Sequence, residues 1–182
     1  MRYFHFGEGE YDTSEEVIRL LLAESGKAVG GRFSNPEPQF FSQTPEIYLG
    51  YRRTEGFSSA PGPTADKVAD YHPAGEPKNS EWNLSGKWTF AREYVISQSD
   101  GVLELGFNAR NVFLVVEPEE PGGIIEVKVD GLQSSDTKDV TNGVLFPDVS
   151  RLYQLVGLNE PGGHVLRLDV KGKLRLFAFT FG

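Results

Sequence analysis

The chain contains no cysteine, and that absence removes a thiol nucleophile, a CxxC redox pair, a disulfide framework and a thiolate metal site. Basic residues are also scarce: 18 Lys and Arg stand against 26 Asp and Glu, for a formal charge of -8. With no basic patch to offset that balance, neither nucleic acid nor an anionic membrane is expected as a partner. No apolar run approaches the roughly 20 residues that a membrane helix needs. The first residues also lack the basic-then-apolar pattern of a signal peptide, so no membrane contact by this chain is expected. Histidine is limited to His5, His72 and His164, which share no metal-ligand spacing, so a zinc site is not expected. No cofactor is implied by any motif.

What is present begins with RYFHFGEGEYDTSEEVIRLLLAESG, residues 2 to 26. Tyr3, Phe4 and Phe6 favour extended backbone, and Gly7 and Gly9 end the run in a turn. Thr13 with Glu16 reads as a capping box, and Asp12, Glu15 and Glu16 place negative charge at the positive end of a helix dipole. Val17, Ile18, Leu21 and Leu22 form an apolar stripe at helical spacing, and Gly26 is placed to end the helix in a left-handed conformation. A helix this short is marginal alone in water, so its leucine face is expected to need a partner surface.

Residues 27 to 80 are rich in turn formers, notably SSAPGPTADK from Ser58 to Lys67, and read as long loops or a linker. Between them lies TPEIYLGYRR, Thr44 to Arg53, with two tyrosines and two arginines in one short segment. From Lys87 onward strand-like segments alternate with turns: KWTFAREYVIS, GVLELGF, NVFLVVEP, IIEVKVDG, RLYQLVGL, HVLRLDVKG and LRLFAFTFG. Ile125, Val127 and Val129 alternate with Glu126, Lys128 and Asp130, as on a half-buried strand. In NVFLVV and LRLFAFTF both faces are apolar, which fits central or covered strands. The spacing predicts a mainly β, jelly-roll-like sandwich. EEPGG at Glu119 to Gly123 and NEPGG at Asn159 to Gly163 are read as shared turn chemistry, not as a repeat.

YFHFGEGEYDTSEEVIRLLL, TPEIYLGYRR, WNLSGKW and the closing FAFTFG together resemble the C-terminal region of DipZ-type and related thioredoxin-family proteins. In that family a thioredoxin-like domain precedes a carbohydrate-binding-module-like sandwich, and DipZ-type members add a membrane part related to cytochrome c biogenesis proteins. The resemblance implies three parts: residues 1-26 as the last strand and helix of a thioredoxin-like domain, 27-43 as linker, and 44-182 as the sandwich. It also implies a redox domain whose CxxC is absent from this sequence, so no catalytic residue carries over and no enzyme activity is expected. The thioredoxin-like domain of a longer protein is an implied partner. The compartment implied is extracytoplasmic, whereas a natural chain of this length without a signal would be cytoplasmic.

The sandwich is then expected to carry the function, either as a non-catalytic carbohydrate-binding module or as a docking domain whose ligand is protein. Sugar binding needs an aromatic face and planar hydrogen-bonding groups, and the residues to search are Tyr48, Tyr51, Arg52, Arg53, Trp82, Trp88, Asn108 and Arg110. Trp88 lies inside a strand and reads as core. Trp82, beside Asn79, Ser80 and Asn83, is the better candidate for an exposed aromatic. Tyr48 and Tyr51 would share a face on a helical turn. One of Arg52 and Arg53 is expected in an ion pair with Glu46 or Glu55. DGLQSSDTKD, Asp130 to Asp139, is an acidic loop of the kind that could hold a structural calcium ion in a sandwich module, although it lacks the alternating ligand register and terminal Glu of a helical calcium loop. An unpaired edge at residues 2 to 6 would favour a homodimer through residues 1-26, or a helix folded back onto the sandwich.

Overall fold

A computed structural model describes residue 4, residues 11–27, residue 30 and residues 43–182. The chain divides into two compact units, Met1–Phe40 and Phe41–Gly182. The strand expected before Gly7, its turn and nearly all of the 27-43 linker lie outside the described residues.

Helix α1 spans Tyr11–Glu24 and carries Asp12 in its first turn. It begins two residues before Thr13, so Thr13 lies inside the first turn and the expected capping box does not form. The other end follows expectation. Gly26 has φ +77°, its N–H donates to Ala23 O, and the Lys27 N–H donates to Leu22 O. These are the paired bonds of a Schellman motif, which satisfy carbonyls the helix leaves orphaned. On the stripe, Val17 and Leu22 are half-buried, while Ile18 and Leu21 are exposed.

The second unit is all β: β1 (Ile47–Tyr48), β2 (Ser59–Ala60), β3 (Val68–Pro73), β4 (Trp82–Phe90), β5 (Val95–Ser97), β6 (Asp100–Val129), β7 (Leu132–Gln133), β8 (Val140–Thr141), β9 (Val144–Leu145) and β10 (Arg151–Phe181). Two of these are ribbons of about thirty residues that fold on themselves, and their mutual register builds both layers of a sandwich. In the first layer Leu166 to Lys171 pairs with Asp100 to Leu105 on one side and with Ile124 to Val129 on the other. Strand β4 extends this layer beyond Leu103 and Leu105, and β9 extends it beyond Ile125. In the second layer Val112 to Val116 runs between Arg151 to Val156 and Leu176 to Phe181. There β5 and β1 flank the far side of β10, through Arg175↔Ile96 and Ile47↔Phe179.

The bends between layers fall where the sequence carries its turn chemistry. EEPGG and NEPGG occupy the same kind of position, within β6 and within β10 where the register breaks between one pairing and the next. Gly172, at φ +87°, faces Gly123 across the ribbon, and a Cβ on it would meet Gly122 O at 2.5 Å. Only glycine fits there.

Alternation sends one face of each strand inward. Leu103, Leu105, Phe107, Leu166, Leu168, Val170, Ile125 and Val127 from the first layer meet Val112, Leu114, Val116, Tyr153, Leu155, Leu174, Leu176 and Phe179 from the second. The expected single strand from Lys87 to Ser97 is two: Ala91 N–H bonds to Tyr94 O and closes a turn between β4 and β5. Strand β3, in a stretch read from sequence as loop, is anchored by the fully buried Tyr71.

Among the described residues no strand lies beside the outer edge of Arg151 to Gly157, and the 134–139 loop covers it with side chains. Gln154 N–H donates to Asp139 Oδ2 at 2.7 Å, Thr137 Oγ donates to Gln154 O at 2.7 Å, and Ser134 Oγ donates to Leu155 O at 3.2 Å. Arg151 Nη1 closes on the same carboxylate at 2.8 Å. Burial alone would raise the pKa of Asp139, but the Gln154 N–H and the Arg151 guanidinium outweigh it and hold the carboxyl below its ordinary value. A carboxyl depressed in the folded state stabilises above the ordinary Asp range, near pH ~3.9, and loses that contribution as pH falls through its lowered value. Asp139→Asn is therefore expected to cost about 1–3 kcal/mol near neutrality. In urea unfolding between pH ~6 and ~2 the gap to the unmodified protein should close toward the acid end; a gap constant with pH would show that the charge is not what stabilises.

Candidate functional site

The eight residues singled out from sequence do not form one site. Trp82 is fully buried: its ring packs on Phe57 at 4.6 Å and Phe90 at 5.8 Å, and its Nε1 donates to Glu55 O at 3.0 Å. The expectation of an exposed aromatic at 82 is thus overturned, because the polar neighbours that suggested it are themselves engaged. Asn83 is buried and donates to Gly75 O, and Asn79 Oδ1 accepts from Thr44 Oγ. Trp88 is fully buried, as its place in a strand predicted, with Nε1 donating to Ser85 O. Burial removes both rings as stacking platforms.

Tyr48 and Tyr51 share no helical turn, because Ile47–Tyr48 is strand β1 paired to β10. Arg53 lies over the Tyr48 ring, 3.4 Å from its centroid, while the Tyr48 hydroxyl donates to Glu46. Tyr51 donates to Asp66 at 3.0 Å. The hydrogen bond to a carboxylate raises the pKa of each phenol, through Glu46 and Asp66 respectively. Arg52 pairs with Glu93 at 3.3 Å, not with Glu46 or Glu55. Asn108 bonds through its backbone to Thr44, and Arg110 Nε donates to Leu158 O at 3.0 Å. Most of these groups hold loops to the sandwich.

The two outward sheet faces differ in chemistry. On the first layer the charges close on one another: Arg167 on Glu104 at 3.1 Å and Asp169 at 2.8 Å, Lys128 on Asp169 at 2.7 Å, and Lys171 on Glu126 at 2.6 Å. An open hollow of about 480 Å³ adjoins them, lined by Pro73, Gly75, Glu76, Glu104, Asp130, Gly131 and Val165. No aromatic ring lines it, and its Asp130 is held by Val165 N–H at 2.9 Å and His164 at 2.7 Å. The Val165 hydrogen bond leads in lowering that carboxyl's pKa. The acids of the 130–139 loop serve the protein in the same way, with Asp136 accepting from Asn142 N–H at 2.7 Å. Among the described residues no group of three or more His, Asp or Glu could hold a metal ion.

The second layer's outward face is aromatic. Ile96, Arg175 and Glu117 form one row across β5, β10 and β6. Phe177 is next on that side of β10 and packs on Tyr94 at 5.2 Å between centroids. Phe113 and Val115 continue the face on β6, half-buried between the inward Val112, Leu114 and Val116. Arg175 extends over Tyr94, 5.1 Å from the ring centroid, with Nη1 donating to Glu117 at 2.7 Å and Nη2 donating to Glu119. Burial would lower the pKa of Arg175, but Glu119, Tyr94 and Glu117 outweigh it and keep the guanidinium charged. Rings, a guanidinium held between two carboxylates, and those carboxylates thus meet on one half-buried surface. None of Tyr94, Phe177 and Arg175 was singled out from sequence. The available signal was the doubly apolar pattern of NVFLVV and LRLFAFTF, whose second face is this platform.

A family model described as "Thioredoxin like C-terminal domain" matches residues 44–182. The chain is 26% identical over 190 residues to Protein DipZ of Mycobacterium bovis and of Mycobacterium tuberculosis, covering all of this chain and 25% of each relative. It therefore spans about a quarter of the length of the curated relatives it matches. Among solved structures, a family two carbohydrate esterase from Clostridium thermocellum in complex with cellohexaose is similar over 50% of this chain and 27% of that one, at 19% identity and a TM-score of 0.38. An active-site mutant of a family two carbohydrate esterase from the same organism is similar over 57% and 32%, at 19% identity and a TM-score of 0.45.

The burial of Trp82 sets an expectation. Trp82→Ala should lower unfolding free energy by about 3–5 kcal/mol in urea melts, and a variant as stable as the parent would contradict its place in the core.

Proposed function

Because the chain belongs to the thioredoxin like C-terminal domain family, and its platform joins aromatic rings to planar polar groups, we propose that it is a non-catalytic carbohydrate-binding module. In the longer proteins of the DipZ type it would act beside a redox domain, as an appended recognition element. The observation that carries this reading is the Tyr94–Phe177 pair with Arg175, Glu117 and Glu119 on the outward face of the second layer.

The physical account is direct. A pyranose ring presents an apolar C–H face and a rim of hydroxyls. Half-buried rings held at 5.2 Å supply a broad surface for that face, already ordered by packing on each other. The carboxylates of Glu117 and Glu119 are acceptors for hydroxyl donors, and Arg175 holds both in place. Order before binding lowers the entropic cost of association.

A glycan array followed by titration of the full chain tests the reading. Saturable binding should appear, and Tyr94→Ala should weaken it by up to about tenfold with thermal stability close to the parent. If no glycan binds, the module is a docking domain for protein instead; if binding survives unchanged in both Tyr94→Ala and Phe177→Ala, the platform is not the site.

A further inference from the structure

The state of Arg175 narrows the class of sugar, an inference that rests on the carbohydrate reading. An arginine that recognises a carboxylate, sulfate or phosphate offers two parallel N–H donors to it. Here that fork is consumed. Nη1 donates to Glu117 Oε1 and Nη2 to Glu119 Oε1, while Nε is buried with no hydrogen-bond partner among the described residues. Two of its five N–H groups are thus committed to carboxylates and a third is buried, so the guanidinium acts as a splint, and an anion approaching the remaining donors would meet the same two carboxylates.

What the platform offers a ligand is the reverse. Each carboxylate has about four acceptor positions. Glu117 uses one on Arg175 and a second, at 3.4 Å, on Ser150 Oγ; Glu119 uses one on Arg175. Both side chains are about one-third exposed, at 34% and 28%. Two negative charges against one positive leave the cluster with a net acceptor character, beside rings whose faces also attract cations.

We propose that this surface recognises sugars through hydroxyl and ammonium donors, favouring neutral and especially amino-sugar glycans and rejecting uronic, sulfated and phosphorylated ones. Glu117 and Glu119 are the specificity-determining residues, and Arg175 is a positioning residue that fixes their separation.

The test titrates the full chain with β-1,4-linked tetramers of glucose, glucosamine and glucuronic acid at about pH 6, above the ordinary carboxylate range. The glucosamine tetramer should bind at least threefold tighter than the glucose tetramer at low ionic strength, the advantage shrinking as salt is added, and the glucuronic tetramer weakest. Glu119→Gln keeps the shape of the site while removing one charge, and should abolish the preference while glucose binding persists. Equal or tighter binding of the glucuronic tetramer, or a preference unchanged in Glu119→Gln, would overturn the proposal and leave the carbohydrate reading standing. Failure of all three tetramers to bind would overturn the proposal, and the carbohydrate reading falls with it only if the glycan array is blank as well.

Discussion

The pairing of β6 with β10 is the constraint on which the rest of the β unit depends. One stretch, Leu166 to Lys171, bonds to two separate parts of β6 at once, and another part of β6 is bonded on both sides by β10. Neither ribbon can shift register by one residue without turning its whole inward set of Leu, Ile and Val side chains to the surface. The bends at the glycine turns follow from this lock. They must fall where the chain leaves one layer for the other, and Gly172 against Gly123 shows how little space the crossing leaves. Most of these contacts join residues distant in sequence, so the ordering entropy of long loops must be met before the core can form.

The same register places the platform. Arg175 faces Glu117 because the two are direct partners across the ribbon, and Ile96 joins the row because β5 pairs on the other side of β10. Inward neighbours such as Leu174 and Leu176 hold the outward side chains at fixed spacing. The aromatic surface is thus a by-product of core order, with Phe177, Arg175 and Glu117 on strands and Tyr94 on the turn between β4 and β5.

Alternation made the strands from 101 to 131 and from 151 to 182 legible, because a half-buried strand writes its burial into every second residue. The turn residues between them were equally plain, although they proved to be bends within two ribbons. Strand β3 was not legible, since VADYHP follows a proline-rich loop and only Tyr71 of its residues is buried. Trp82 was misread for a related reason: polar neighbours report on hydrogen bonding as much as on exposure, and Asn83 is as buried as the tryptophan beside it. The platform stayed hidden because its members stand at 94, 117, 119, 175 and 177, and only the register brings them together.

The side chains laid along the edge of Arg151 to Gly157 reach beyond local stability. A bare edge is a template on which another chain can add a strand. Ser134, Thr137 and Asp139 occupy those backbone groups with bonds that no incoming strand can use. Asp139 is the ionised member of that cover, so its protonation weakens the bond to Gln154 N–H and leaves the two hydroxyl bonds in place. The 134–139 loop therefore does two things at once, holding the edge of the fold in place and denying its backbone groups to an incoming strand.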